Sequence, residues 1–220
     1  MKKSVTLFLL CLFLSATVFL YFGNDVLLYL EGSSTRLPSS GVNFESYSRF
    51  LSTLGRTHVH SALRPVLLDT YAKLAVTLPT VKWIYGETGW KNGGNFWPHR
   101  THRNGLSVDF IVPVINRDTN EATQLSLWPY NAWGYRTRFD ANGHSGSYQI
   151  DFKSIILHLK TLDEVGEAHR VRIKRVIFDP PLLELLKRET SFKQISGIEF
   201  MKEPAWFPHD SHYHIDFELM

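Results

Sequence analysis

The spacing of apolar residues predicts three helices in the chain beyond residue 60. Between residues 61 and 78 leucines recur at helical intervals, and Pro79 ends the pattern. Residues 155–168 form a second stretch with helical character. Pro180-Pro181 opens a third helix that continues to Arg188, because proline is well tolerated in the first turn of a helix.

Four further stretches are predicted to be β-strands. They are rich in β-branched and aromatic residues and cover residues 81–85, 106–115, 171–178 and 212–219. Turn-forming residues follow the first of them and lead towards the second.

The last predicted strand is informative because its polar and apolar positions alternate strictly. Side chains of a strand point alternately to its two faces. One face carries the apolar residues Tyr213, Ile215, Phe217 and Leu219. The other face carries the ionisable residues His212, His214, Asp216 and Glu218. This second face is either exposed to solvent or buried for a chemical task, since burying four ionisable groups without a task would be costly.

Residues 116–149 show no clear period. Their aromatic side chains, set among polar ones, include Trp128, Tyr130, Trp133, Tyr135 and Phe139. A long irregular stretch inside a compact domain is usually a functional loop or an insertion. We interpret it as a wall or lid of a site. The alternative is a surface excursion packed by its own aromatic residues.

The N-terminal residues predict a targeting segment. Two lysines precede an uncharged apolar run at 5–23, which approaches the about 20 residues that a helix needs to cross a bilayer. We interpret residues 1–23 as an uncleaved signal anchor in the inner membrane, with a cleaved signal peptide as the alternative. Residues 24–43 are then a linker and residues 44–220 a single domain. Both interpretations place this domain in the periplasm or cell envelope.

Composition fits one globular domain and excludes several classes of protein. The 220 residues are 44% hydrophobic and 20% charged, which is typical of a folded domain with a good core. The net charge of +3 includes no dense run of lysine or arginine, so no nucleic-acid partner is expected. The single cysteine, Cys11, lies in the apolar N-terminal run, which excludes an internal disulfide and a thiol nucleophile in the domain.

Two histidine-rich segments carry the candidate chemistry. The first is His99-Arg100-Thr101-His102, followed by Asp109, and the second is His209-Asp210-Ser211-His212-Tyr213-His214. Imidazole nitrogen and carboxylate oxygen are the usual ligands of a catalytic zinc ion. We expect a turn after His102 that leads into a strand carrying Asp109, with Gly105 permitting a sharp or close backbone path.

Other catalytic motifs are absent from the sequence. There is no His-Glu-x-x-His helix, no Gly-x-Ser-x-Gly nucleophile elbow, no phosphate-binding loop and no dinucleotide-binding fingerprint. His58 and His60 form another His-x-His pair, but it lacks an accompanying carboxylate motif. His144, His158 and His169 are isolated in the sequence, and we expect surface or helix-capping roles for them.

The two histidine segments resemble the motifs of the zinc peptidase superfamily that contains lysostaphin, the D-Ala-D-Ala peptidases and the hedgehog signalling domain. Within that superfamily the chain is most similar to the penicillin-insensitive murein endopeptidases. Their first motif is matched by His99, His102, Gly105, Leu106, Val108 and Asp109. Their second motif is matched by Trp206, Phe207, His209, His212 and His214. The turn Gly86-Glu87-Thr88-Gly89 is also similar, with Glu87 where the family often has aspartate.

The resemblance implies an α+β fold, with a central, mainly antiparallel sheet, flanking helices and a zinc site in a cleft on the sheet. One Zn²⁺ ion per chain would be bound, with water in the fourth position. The implied metal ligands are His102, Asp109 and His214. His212 would be the general base or would stabilise the oxyanion, assisted by His209. The residues expected to flank the metal or contact substrate are His99, Glu87 and Trp206.

The implied activity is that of a zinc endopeptidase that cuts peptide cross-links in bacterial peptidoglycan, at the D-alanyl–diaminopimelyl bond. Its partners would be the peptidoglycan stem peptides, and the membrane through the N-terminal segment. Because no covalent acyl-enzyme is needed, β-lactams are not expected to inhibit it. Two alternatives stay open: a zinc D,D-carboxypeptidase or dipeptidase that trims D-Ala from stem peptides, and a non-catalytic cell-wall-binding module with a vestigial metal site.

Overall fold

The computed structural model describes residues 34–97, 99 and 101–220, together with Cys11, Phe13 and Ser15. Apart from these three positions, the signal anchor predicted at 1–23 lies outside the described residues, as does most of the predicted linker. None of the helices in the described part of the chain combines the length and the apolar character that a bilayer span requires.

The described residues form eleven strands and four α-helices. The strands are β1 (Thr35–Arg36), β2 (Phe44–Ser46), β3 (His58–Val59), β4 (Trp83–Tyr85), β5 (Ser107–Ile111), β6 (Val114–Asn116), β7 (Ala122–Thr123), β8 (His144–Ser145), β9 (Tyr148–Ile150), β10 (Val171–Ile177) and β11 (His212–Leu219). The helices are α1 (Arg49–Thr53), α2 (Leu63–Thr77), α3 (Phe152–Ala168) and α4 (Pro180–Arg188). Two short 3-10 helices cover Pro129–Gly134 and Thr190–Ile195.

The central sheet has five strands in the order β10-β11-β5-β4-β2. All its neighbouring strands are antiparallel except β2 and β4, which are parallel. Helix α3 packs against both α2 and β10, so that apolar helix faces cover the sheet. The predicted α+β class and the mainly antiparallel sheet are therefore confirmed.

The predicted helices form where the local sequence favours them. In α2 the residues Leu63, Leu67 and Leu74 are fully buried, and the helix ends one residue before Leu78, which precedes Pro79. Helix α3 begins after Asp151, whose carboxylate accepts a hydrogen bond from the Ser154 amide at 3.1 Å. Helix α4 has the predicted bounds and begins with its two prolines.

The strand predicted at 106–115 is wrong as a single element. The structure divides it into β5, in the central sheet, and β6, in a separate four-stranded sheet of order β7-β6-β9-β8. Pro113 lies between the two strands and has no N–H group to donate to a sheet ladder. The chain therefore changes sheets at the proline, which is where a central strand could not continue.

Residues 116–149 contain more regular structure than their sequence suggests. They contribute β7, β8 and part of β9 to the second sheet, and the 3-10 helix Pro129–Gly134. These strands have only two or three residues each, too few for a period of two to stand out. The segment also reaches the histidine cluster, as described below.

The predicted linker ends earlier than residue 43. Strand β1 pairs with β3, and the amide of Leu37 donates to the carbonyl of Thr57 at 3.0 Å. Leu37 is 1% exposed. The folded domain therefore includes residues that we predicted to belong to the linker. The prediction followed the turn-rich composition of this stretch, in which Leu37 is the residue that packs into the core.

His158 is a core residue, so the surface or capping role expected for it is wrong. It is fully buried on α3, and its ring stacks on Trp83 with a centroid distance of 4.6 Å. Its Nδ1 lies 2.6 Å from the hydroxyl of Tyr213. Burial lowers the pKa of His158 to about 3, so the ring is neutral at physiological pH. His169, by contrast, does lie at the C-cap of α3.

Gly105 confirms the close backbone path expected between His102 and Asp109. Its φ is +71°, and an added Cβ would lie 2.5 Å from the backbone nitrogen of His60 and 2.9 Å from the carbonyl carbon of Val59. The His60 amide donates to the Gly105 carbonyl at 2.9 Å. This contact holds the turn against β3.

Replacing Gly105 with alanine is expected to lower the free energy of unfolding, measured by urea denaturation. The left-handed backbone alone costs about 1–2 kcal/mol for a non-glycine residue, and the overlap with β3 adds to it. Gly146→Ala is the matched control, since Gly146 has a φ of +57° but nothing within 4 Å of the new Cβ. Equal losses in the two variants would contradict the packing argument.

Candidate metal centre

The ionisable face of β11 is buried. His212 and His214 are each 1% exposed and Asp216 is 8% exposed, while Glu218 at the end of the strand is partly exposed. The apolar face packs in the core through Tyr213, Ile215 and Phe217. Leu219, the last residue of the apolar face, is instead 47% exposed at the strand end. Solvent exposure therefore does not account for the polar face.

The pairing of β5 with β11 brings the two histidine segments together. In the antiparallel register Asp109 lies directly opposite His214. The Oδ1 atom of Asp109 is 2.8 Å from Nδ1 of His214, and the Asp109 side chain is fully buried. A carboxylate from the middle of the chain and an imidazole from its end thus share one site.

His102 completes this arrangement from the turn before β5. Its ring is fully buried, and Nδ1 lies 3.2 Å from the Thr88 carbonyl, which can only accept, so Nδ1 carries the hydrogen. The other ring nitrogen, Nε2, then carries a lone pair and lies 3.3 Å from Oδ1 of Asp109. The residue has a φ of +60°, a left-handed conformation that a bulky side chain adopts only where its surroundings enforce it.

His99 lies beside the same group. One ligand atom each from His99, His102 and Asp109 lie within 4.8 Å of one another, so that this group could hold a metal ion. The Nε2 atom of His99 is 2.8 Å from Oε2 of Glu87. Burial alone would lower the pKa of His99, but the hydrogen bond to Glu87 and the negative charges of Asp109 and Glu87 together outweigh it and raise the pKa.

Glu87 is fixed by residues of three other parts of the chain. Its Oε1 atom accepts hydrogen bonds from the Tyr47 hydroxyl at 3.1 Å and from Nε of Arg56 at 2.6 Å. The guanidinium of Arg56 also lies over the ring of Phe96, 4.2 Å from its centroid. The predicted position of Glu87 next to the histidine cluster is therefore observed, with His99 as its direct contact.

His214 lies between two carboxylates. Nδ1 faces Asp109 and Nε2 faces Oδ1 of Asp216 at 2.9 Å. Burial alone would lower the pKa of His214, but these two carboxylates raise it to about 9. Burial would likewise raise the pKa of Asp109, but the facing imidazoles, His102 above all, hold it well below its usual range. The charged ring of His214 thus already matches these carboxylates, and a metal ion bound to Nδ1 would take the place of the proton there.

Tyr135 is a site residue that the sequence did not single out. Its hydroxyl donates to Oδ2 of Asp109 at 2.9 Å and accepts from the Glu87 amide at 3.1 Å. Its ring centroid is 4.7 Å from that of His212. A Cβ at Gly86 would overlap this hydroxyl, so glycine is required there. Residues 116–149 therefore form a wall of the site through Tyr135. Nothing in the sequence distinguished this tyrosine from the other aromatic residues of the segment.

His212 and His209 lie together at the edge of the group. The two ring centroids are 4.6 Å apart, and Nδ1 of His209 is 2.7 Å from the Phe207 carbonyl. Burial lowers the pKa of His212 to about 3 and lowers that of His209 as well. His212 is therefore neutral, and its buried Nδ1 has no hydrogen-bond partner within the described residues. The neutral ring keeps a lone pair free, and a pKa this low makes it a weak base in this state.

Trp206 lies at the surface. Its side chain is 61% exposed and its ring is 5.9 Å from that of Phe207. The structure gives it no contact with the proposed ligands among the residues it describes, so its role in substrate binding stays a prediction.

A wide surface groove lies elsewhere, although it shares one residue, Tyr47, with the surroundings of the histidine cluster. It has a volume of about 1220 Å³ and is lined by residues including Tyr47, Phe50, Trp128 and Trp133. None of the clustered histidines lines it. We place the chemistry at the histidine cluster because apolar volume alone supplies no reactive group.

The buried residues fit a divalent metal ion. The main support is Nε2 of His102, which is buried and has no hydrogen-bond partner among the described residues. An unsatisfied nitrogen of this kind is costly unless something binds it. Nε2 of His102 lies 3.3 Å from the carboxylate oxygen of Asp109 that also contacts His214. Two imidazoles and a carboxylate are a known set of ligands for a catalytic metal ion.

No known family model matches this chain, and no curated protein matches it in sequence.

Proposed function

We propose that this chain is a zinc metallopeptidase of the bacterial envelope that cuts peptide cross-links in peptidoglycan. One observation carries the proposal: Oδ1 of Asp109 lies 3.3 Å from Nε2 of His102 and 2.8 Å from Nδ1 of His214. These three atoms are the proposed ligands of one Zn²⁺ ion. His99 could replace His214 on distance alone, but its Nε2 is already engaged by Glu87.

The ligand set favours hydrolysis over a purely structural site. Structural zinc sites are closed by four protein ligands, whereas catalytic sites keep a position open. Zinc in an open site supplies Lewis-acid chemistry, because it acidifies water and polarises an amide carbonyl. Within this chain, we assign to His212 the transfer of that proton to the leaving amine, since its ring is neutral and its buried Nδ1 has no hydrogen-bond partner among the described residues. His209 packs against His212 and orients it.

Peptidoglycan is proposed as the substrate because of the resemblance of both motifs to the murein endopeptidases. The N-terminal apolar run supports an envelope location, on the outer side of the inner membrane. A reaction through water needs no acyl-enzyme, so penicillin should leave it unaffected.

Digestion of purified sacculi with the full-length protein tests this function. We expect chromatography to show loss of cross-linked muropeptide dimers and gain of monomers. A chelator should stop the reaction, Zn²⁺ should restore it, and penicillin should have no effect. Release of D-Ala from monomers with dimers intact would instead favour the carboxypeptidase. No change in either product by the zinc-loaded protein would contradict the proposal.

A further inference from the structure

On the ionisable face of β11, Asp216 is the one buried residue that the proposed reaction does not use. It lies on a central strand, and its register partners are Ser107 on β5 and Arg175 on β10. Its side chain is 11% exposed. A carboxylate buried to this extent is costly unless its lone pairs are satisfied.

Both register partners bind the Asp216 carboxylate. Oδ1 accepts from the Ser107 hydroxyl at 2.7 Å and faces Nε2 of His214 at 2.9 Å. Oδ2 accepts from Nε of Arg175 at 2.8 Å. Three donors from three adjacent strands therefore fix the carboxylate in one orientation.

A β-bulge places Arg175 in this position. The register of β10 with β11 shifts between Ile173, which pairs with Phe217, and Arg175, which pairs with Asp216. Lys174 is the extra residue. Bulges re-aim side chains near functional sites, and here the arginine is brought directly opposite the carboxylate.

The contact with His214 determines which ring nitrogen is free. A carboxylate accepts hydrogen bonds and does not donate them, so the nitrogen facing Asp216 carries the hydrogen. That nitrogen is Nε2. Nδ1 faces a second carboxylate, that of Asp109, so a metal ion bound by both would replace the hydrogen on Nδ1 and leave the one on Nε2. Outer carboxylates of this kind fix the tautomer and orientation of metal-binding histidines.

We propose that Asp216, held by Ser107 and Arg175, is a positioning residue that presents Nδ1 of His214 to the metal ion. This inference rests on the proposed metal site. The competing explanation is an ordinary ion pair on a strand face. Glu218, two residues further along the same face, forms such a pair, because its Oε1 lies 2.6 Å from Nε of Arg172. Both of these side chains are more exposed than those of Asp216 and Arg175.

The experiment compares Asp216→Asn with the matched control Glu218→Gln in the full-length protein. One amide oxygen cannot serve three donors, so Asp216→Asn should bind Zn²⁺ about 10- to 100-fold more weakly, in competition with a chromophoric chelator. Glu218→Gln should bind as the wild type does. In ¹H–¹⁵N spectra of the zinc-loaded wild type, the Nε2 proton of His214 should resonate far downfield because it is hydrogen-bonded to a carboxylate, and in Asp216→Asn this signal should move upfield.

Two results separate this inference from the proposed function. Wild-type zinc affinity and an unchanged His214 signal in Asp216→Asn would overturn the positioning role and leave the metal site intact. No zinc uptake by the wild type would overturn both. Should Asp216→Asn not fold, Arg175→Ala decides, because its half-exposed side chain can be removed with Asp216 in place. We expect a smaller loss of affinity there, and wild-type affinity would overturn the inference.

Discussion

The His214→Ala variant is expected to lose its metal ion and its hydrolytic activity together, whereas His99→Ala is expected to keep the ion. Both histidines lie at the same group, but their surroundings differ. His214 is 1% exposed and its Nδ1 meets the carboxylate oxygen that also faces His102. His99 has a side chain that is 20% exposed, and its Nε2 is held by Glu87.

The expected loss in His214→Ala is larger than for any outer residue. Removal of an outer hydrogen-bond partner typically weakens metal binding by about 10- to 100-fold, and removal of a direct ligand should exceed that. The substitution also leaves the buried carboxylates of Asp109 and Asp216 facing each other without the imidazole between them. We therefore expect a lower melting temperature as well, and His214→Gln serves as the variant that retains more volume.

Metal content after dialysis and turnover of cross-linked muropeptides measure this prediction. If His214→Ala keeps full turnover in chelator-treated buffer, His214 is not a ligand. If instead His99→Ala loses the ion and His214→Ala keeps it, the third ligand is His99, in the group that it forms with His102 and Asp109.

How well the sequence predicts each element depends on how local its signal is. The bounds of α4 and β11 agree with prediction because proline placement and strict alternation are readable within a few residues. The prediction around Pro113 was wrong. The apolar residues on both sides of it indicated one strand, and only the proline itself indicated that the chain changes sheets there. The alternation in β11 predicted that its ionisable residues share one face, but whether that face is buried depends on the residues that pack over it.

The site was predictable in its residue types but not in its contacts. The resemblance to the murein endopeptidase motif pairs His102 with Asp109, whereas the register that sets Asp109 opposite His214 is a property of the folded sheet. Tyr135 shows the same limit. It follows Ala132 and Trp133, which have φ values of +45° and +56°. Alanine and tryptophan do not favour a positive φ, so there was no local indication in the sequence of the turn that brings Tyr135 to Asp109.

The His212→Ala variant is expected to retain its metal ion and lose most of its rate. Its Nδ1 is unpartnered among the described residues, and its ring contacts Tyr135 and His209. The alternation of β11 puts His212 on the same face as His214, two register pairs further along the strand, opposite Ile111 and not opposite Asp109. The structure therefore favours a proton-transfer role over ligation.

The expected fall in kcat for His212→Ala is about 10²- to 10⁴-fold, which is the usual contribution of a general base. KM should change little, because the residue acts on the proton that moves during the reaction. His209→Ala provides the graded control. It removes only the ring that packs on His212, so its rate should fall less at equal metal content. Loss of metal from His212→Ala equal to that from His214→Ala would make His212 a ligand, and an unchanged kcat would remove it from the reaction.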